Sequence, residues 1–148
     1  MFDTLALLVG PGIIAAVLSS PLFFSGRFRS LFTRLPPVRS TIASYLLVTV
    51  TLSVPFVIGT GIILTTTSTG GAALSNALLN MAFVVTIGYV VVLPVAASVG
   101  LPRVGIDWDP TNYGLGTWLL LVGAALWYSA VFVVPLAFFA LVLALPTG

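Results

Sequence analysis

TWLLLVGAALWYSAVFVVPLAFFALVLAL, residues 117–145, contains no charged side chain. A helix of that length can cross a hydrocarbon core about 30 Å thick, which takes roughly 20 residues. In lipid, each backbone N–H and C=O has to be satisfied within its own segment, so the stretch reads as a transmembrane α-helix. Pro146 closes it. The short, strictly alternating segments of a membrane β-barrel are missing.

Three further runs upstream meet the same length requirement, at residues 4–24, 42–64 and 77–99. Across its 148 residues the chain is 59% hydrophobic and 5% charged, with a mean hydropathy of +1.24. Soluble domains carry about 25% charged residues, and eight formal charges cannot solvate a globule of this size. The expected architecture is an all-α integral membrane four-helix bundle, a single domain over residues 1–148. The five basic residues are all Arg and the three acidic ones all Asp. Arginine without lysine, in a chain rich in Ala, Val, Gly and Pro, points to a GC-rich prokaryotic genome.

Charge placement predicts orientation. Met1, Phe2 and Asp3 precede the first run without the basic stretch of a cleaved signal peptide. Arg27, Arg29, Arg34 and Arg39 follow it in the loop over residues 25–40. Short arginine-rich loops stay cytoplasmic, which predicts a retained first helix and both termini outside the plasma membrane. The uncharged loop over residues 65–75 then falls outside, and the loop over residues 101–116 inside.

Within the basic loop, Phe28, Leu31, Phe32 and Leu35 fall at i, i+3, i+4 and i+7, with arginines opposite or at the margin. The spacing predicts a short amphipathic helix over 26–35, ended by Pro36 and Pro37. It is expected to lie in the headgroup plane, with its aromatic face among the acyl chains and Arg27, Arg29, Arg34 and Arg39 near lipid headgroups.

The loop before the last run contains Asp107-Trp108-Asp109-Pro110-Thr111-Asn112-Tyr113. Alternate carboxylates resemble the opening of a calcium loop, but the later oxygen ligands, the glycine and the closing Glu are missing. Asp-Pro and Asn form turns, and Trp108, Tyr113 and Trp118 are expected to form an aromatic belt at the interface. In the third run, Thr86-Ile87-Gly88-Tyr89-Val90 shares Thr, Gly and Tyr with the potassium filter loop Thr-Val-Gly-Tyr-Gly. Val90 replaces the second glycine and the apolar run continues to Pro94, so this stretch is read as continuous helix.

Prolines at 11, 21, 55, 94 and 135 predict kinks. Hydroxyls inside the spans are expected to bond their own backbone. Asn76 and Asn80, one turn apart, are expected to cap or bridge helices. Trp127 and Tyr128 fall mid-span, where their N–H and O–H need partners, so that part of the fourth helix is expected to face protein, with Tyr89 as a further inter-helix or pocket contact.

The chain has no Cys, His, Lys or Glu, and no Asp or Arg falls inside a predicted span. This removes the usual general base, thiolate chemistry and the intramembrane charges that mark proton relays. Neither a cofactor nor a metal is expected, and a net charge of +2 gives no reason to expect nucleic acid. The expected function is that of a non-catalytic membrane subunit or scaffold. Its partners would be lipids and either a larger membrane complex or a homo-oligomer. The alternative is a small channel or transporter for an uncharged or weakly charged solute.

Overall fold

The computed structural model describes residues 1–35, 40–67 and 70–146. Arg39, Pro36 and Pro37 lie outside the described residues. Helix α1 (Phe2–Ser19) runs into a 3₁₀ segment, Ser20–Phe24, and is followed by the short α2 (Gly26–Arg34) and by α3 (Thr41–Thr66). Next, α4 (Gly71–Val95) continues through a π-helical turn, Ala96–Gly100, into the single turn α5 (Leu101–Arg103), and α6 (Leu115–Ala144) completes the chain. Four segments are long and apolar enough to cross a membrane: Phe2–Phe24, Thr41–Thr66, Gly71–Arg103 and Leu115–Ala144. The protein is a multi-pass membrane protein built as an all-helical bundle.

Two boundaries differ from the sequence reading. The third span starts at Gly71 rather than near 77, and ends at Arg103 rather than 99. Glycine weakens a helix in isolation, which is why residues 65–75 read as loop. At Gly71, however, the backbone packs against the Leu143 carbonyl of α6, and a Cβ would collide with it. Tertiary contact therefore overrides propensity. Serines begin α2 and α3: Ser25 Oγ accepts from Phe28 N–H and Ser40 Oγ from Ala43 N–H, each at 3.4 Å, satisfying a first-turn donor.

The helices pack as two extensive pairs, α4 with α6 and α1 with α3, and the contacts α3–α4 and α1–α6 close the ring. The inward stripes are rich in small or hydroxylated residues, with Phe56, Leu78, Leu121 and Phe132 set among them. Helix α1 buries Gly12, Ala15, Ala16 and Ser19; α3 buries Ser44, Thr49 and Ser53; α6 buries Thr117, Ala124, Ala125 and Ser129. Large apolar side chains such as Phe83, Val84, Leu119 and Phe138 face outward. With lipid outside there is no hydrophobic drive between helices, so small residues that allow close backbone approach decide the seams. Gly12 marks another close approach, where a Cβ would stand 2.7 Å from Val50 Cα.

The prolines act on carbonyls as much as on axes. Helices α1, α3 and α6 run through Pro11, Pro55 and Pro135 without interruption. Pro21 has no N–H for the Val17 carbonyl. Ser20 N–H bonds Val17 instead, which tightens the chain into 3₁₀ geometry and leaves the Ala16 carbonyl without its helical donor. Pro94 is followed within two residues by the π turn. There Leu101 N–H reaches Ala96 O, while the π-type donor for the Ala97 carbonyl would be Pro102, which has none.

Candidate functional site

Three aromatic side chains anchor at the freed carbonyls. Tyr45 of α3 donates its hydroxyl to Ala16 O of α1 at 2.6 Å. Trp108 donates its indole N–H to Ala97 O at 2.7 Å. Trp127 of α6 donates to Leu18 O at 3.1 Å; in 3₁₀ spacing the donor for Leu18 would be Pro21, which has no N–H. Tyr128 and Tyr89 donate to the α3 carbonyls of Thr49 and Leu52. These bonds stitch all four spans together. Tyr128 is buried, but the Trp127 ring lies half-exposed on the outer surface, so only its N–H faces protein. Its neighbour takes the inward position because α6 turns about 100° per residue.

Above this layer, α2 forms a cap. Phe28, Leu31 and Phe32 are 7%, 8% and 4% exposed, so the predicted apolar face is covered by protein rather than by acyl chains. Phe23 stacks on Phe32 and meets Phe28 and Tyr45 edge-on, at centroid distances of 5.7, 5.8 and 4.5 Å. The correction has a physical reason. The 3₁₀ segment folds α2 back over the bundle end, where small residues such as Ala97 and Ala124 leave room for the rings. Opposite, Arg29 and Arg34 are exposed, while Arg27 is half-buried with its guanidinium over Gly116 at the start of α6.

The loop over residues 104–114 clamps the cap. Trp108 is 2% exposed and packs in the α2 cluster, so it is a buried plug and not part of a surface belt. Its carbonyl accepts from Ser30 Oγ of α2. The only sequence signal was indirect: Pro102 denies the Ala97 carbonyl a donor. Asp109 is buried as well. Its Oδ1 accepts from Thr111 N–H and Oγ1 at 2.9 and 2.8 Å, and its Oδ2 from Tyr113 N–H at 3.1 Å and from the fully buried Thr117 hydroxyl. Burial alone would raise the Asp109 pKa, but the hydroxyl and backbone donors outweigh it and hold the carboxyl below its ordinary value. Asp107 accepts from the Tyr113 hydroxyl at 2.6 Å. Burial first, and that bond second, push the Tyr113 phenol up. Asn112 and Tyr113 both adopt φ of +59°, the left-handed conformation that lets the loop wrap the Asp109 carboxylate.

Between cap and tyrosine layer lies a cavity of about 210 Å³ lined from every span, with Leu35, Tyr45, Leu93, Ala124 and Tyr128 on its walls. A wider hollow of about 550 Å³ opens at the other end between α1, α3 and α6, beside Leu7, Leu64 and Phe139. Asn76 and Asn80 belong to neither. Both lie on the exposed side of α4 and make no side-chain hydrogen bond, and so bridge no helices, among the described residues. Thr49, Thr51 and Thr86 bond carbonyls one turn back, as expected of hydroxyls in spans. The Thr86–Val90 stretch is helical.

No curated protein and no solved structure matches the chain significantly. Residues 1–147 match the model of one family, and the chain belongs to that family, described as Domain of unknown function (DUF8162).

Proposed function

We propose that the protein is a non-catalytic membrane subunit or scaffold that associates within the bilayer through the outward face of α4. The observation that supports this reading is the pair Asn76 and Asn80, one turn apart and exposed. Asn80 stands nine residues into the helix, about 13 Å from its start at 1.5 Å per residue, well within a span. A carboxamide facing hydrocarbon without a partner is costly, and two stacked amides offer paired donors and acceptors to a neighbouring helix. By contrast, Asp109 is engaged by its loop, and Tyr45, Tyr89 and Tyr128 by backbone carbonyls. The walls of the central cavity are almost wholly apolar, which favours this reading over a route for a polar solute. The second reading, a small channel or transporter for an uncharged or weakly charged solute, draws on that same cavity.

Native mass spectrometry from mild detergent tests the association. The wild type is expected as a stoichiometric assembly with itself or another membrane chain. Inter-helix hydrogen bonds contribute about 0.6 kcal/mol each in membranes, so several such bonds lost in Asn76→Leu, Asn80→Leu should weaken association about tenfold while the monomer still folds. A wild type that is monomeric and unaccompanied, or a double variant that assembles equally well, rejects the reading.

The same proposal places the α2 end in the cytoplasm of a prokaryotic cell, with both termini outside the plasma membrane and Arg27, Arg29 and Arg34 at lipid headgroups. Short basic loops remain on that side. Because the chain has no natural Cys, an Arg34→Cys variant reports on it directly. Its thiol should resist an impermeant maleimide added to intact cells and react after permeabilisation. Labelling of the intact cells would invert the orientation.

A further inference from the structure

We infer that the central cavity holds a stretch of one acyl chain of an anionic phospholipid, entered from the bilayer between α3 and α4. The cavity is an upright slot. Its wall follows α3 from Tyr45 to Leu52, the third span from Leu93 to Leu101 and α6 from Leu121 to Tyr128, each about 10–12 Å along the axis at 1.5 Å per residue. At about 210 Å³ it exceeds the dry, apolar cavity of about 150 Å³ that accepts benzene, and scaled from benzene it takes about eight carbon atoms. A chain of that many carbons, extended, runs the height of the slot. Nothing polar competes for the space. The Tyr45, Tyr128 and Thr49 hydroxyls are bonded to backbone carbonyls, and Ser19 Oγ is inaccessible.

Two features fix the occupant. The first is a side of the wall that meets the outer surface. The α6 residues of the wall are buried, whereas Val48, Leu52 and Leu93 are half-buried and Ala96 is exposed. These lie along the α3–α4 seam, which is thinner than the α4–α6 and α1–α3 pairs. The π turn borders the same opening, with Ala96 exposed and Ala97 buried on one wall, and such turns recur at functional sites. The second feature is charge. The slot ends at Leu35 and Leu101. Arg34 adjoins Leu35, Arg103 lies two residues beyond Leu101, and both are exposed. Basic pockets between transmembrane helices bind anionic headgroups, so a phosphate at these arginines and a tail in the slot belong to one molecule. A small apolar solute would fill the slot and leave the arginines unused. The assignment does not depend on association through α4.

Photo-crosslinking of the full chain in mild detergent tests this, with a phosphatidylglycerol that carries a diazirine in the upper half of one acyl chain as the probe. Adducts are expected on Leu121, Ala124 or Tyr128, which are buried and so out of reach of lipid on the outer surface. Unlabelled phosphatidylglycerol should displace them at about tenfold lower concentration than phosphatidylcholine with the same chains, the effect of two arginines at a headgroup. Arg34→Gln, Arg103→Gln should bring that ratio to about one while the inner adducts remain. Ala124→Leu, which fills the slot, should abolish the adducts on Leu121 and Tyr128 and keep those on outward residues such as Phe83 and Leu119. Adducts confined to outward residues, equal displacement by the two lipids, or an unchanged ratio in the double arginine variant overturns the inference, and none of these readings requires Ala124→Leu to fold.

Discussion

Replacing Trp108 with alanine is expected to cost about 3–5 kcal/mol of stability, the usual range for truncating a buried tryptophan. The indole is 2% exposed, packs in the cluster that holds α2, and donates to the Ala97 carbonyl at 2.7 Å. Truncation therefore opens a void under the cap and leaves a carbonyl of the π turn without a donor. That carbonyl has no backbone substitute, because Leu101 N–H is bonded to Ala96 and Pro102 has none to give. Denaturant titration in mild detergent measures the loss. Two companions separate its parts. Trp108→Phe keeps most of the ring and removes the N–H, so it should lose about 1 kcal/mol more than packing alone explains. Trp118→Ala, at a half-exposed position, should change stability by less than about 1 kcal/mol. Equal losses at positions 108 and 118 would mean that Trp108 does not hold the cap.

Asp109→Ala is expected to cost about 2–4 kcal/mol near neutral pH, combining an orphaned buried Thr117 hydroxyl with lost charge-assisted bonds from backbone N–H groups. The effect should depend on pH in a defined direction. The folded-state pKa of Asp109 lies below its ordinary value, and that of the unfolded chain lies near 3.9. A depressed carboxylate contributes stability that is fully present above the unfolded pKa and is lost as pH falls through the folded one. The gap between wild type and Asp109→Ala should accordingly be constant from about pH 7 to pH 5 and shrink below about pH 4. Unfolding titrations at a series of pH values provide the test. A gap that widens in acid would show that the protonated carboxyl, not the carboxylate, is the stabilising form.

Both residues are single letters in a loop that sequence reasoning read as turn plus interfacial belt. The turn is there: Asp109 accepts from residues two and four positions on, as an Asx-type loop requires. Trp108 does not belong to a belt, since it is a buried plug. Aromatic residues beside a span have two homes, the lipid interface and a protein-covered bundle end, and composition is the same for both. The same ambiguity governs α2. The i, i+3, i+4, i+7 spacing located the helix and its apolar face, but whether acyl chains or protein covers that face depends on the 3₁₀ turn that aims it. Trp127 and Tyr128 show the limit at the scale of one residue. Depth and the need for a partner were readable for both, but which of the two turns inward was not.

The sequence by itself determined the solvent, the number of crossings, the short amphipathic helix and its register, and the confinement of charge to span ends and loops. Each is a local property, because backbone groups in hydrocarbon must be satisfied within their own segment. Only the tertiary structure decided which face of each helix turns inward. In a soluble bundle an apolar stripe announces the core. Here both faces are apolar, and the buried stripe is the one rich in Gly, Ala, Ser and Thr, with rings such as Phe56, Tyr128 and Phe132 set between them. That stripe stands out only when two backbones approach closely enough to need it. The cavity, the cap and the outward asparagines all follow from those facings, and no single helix encodes them.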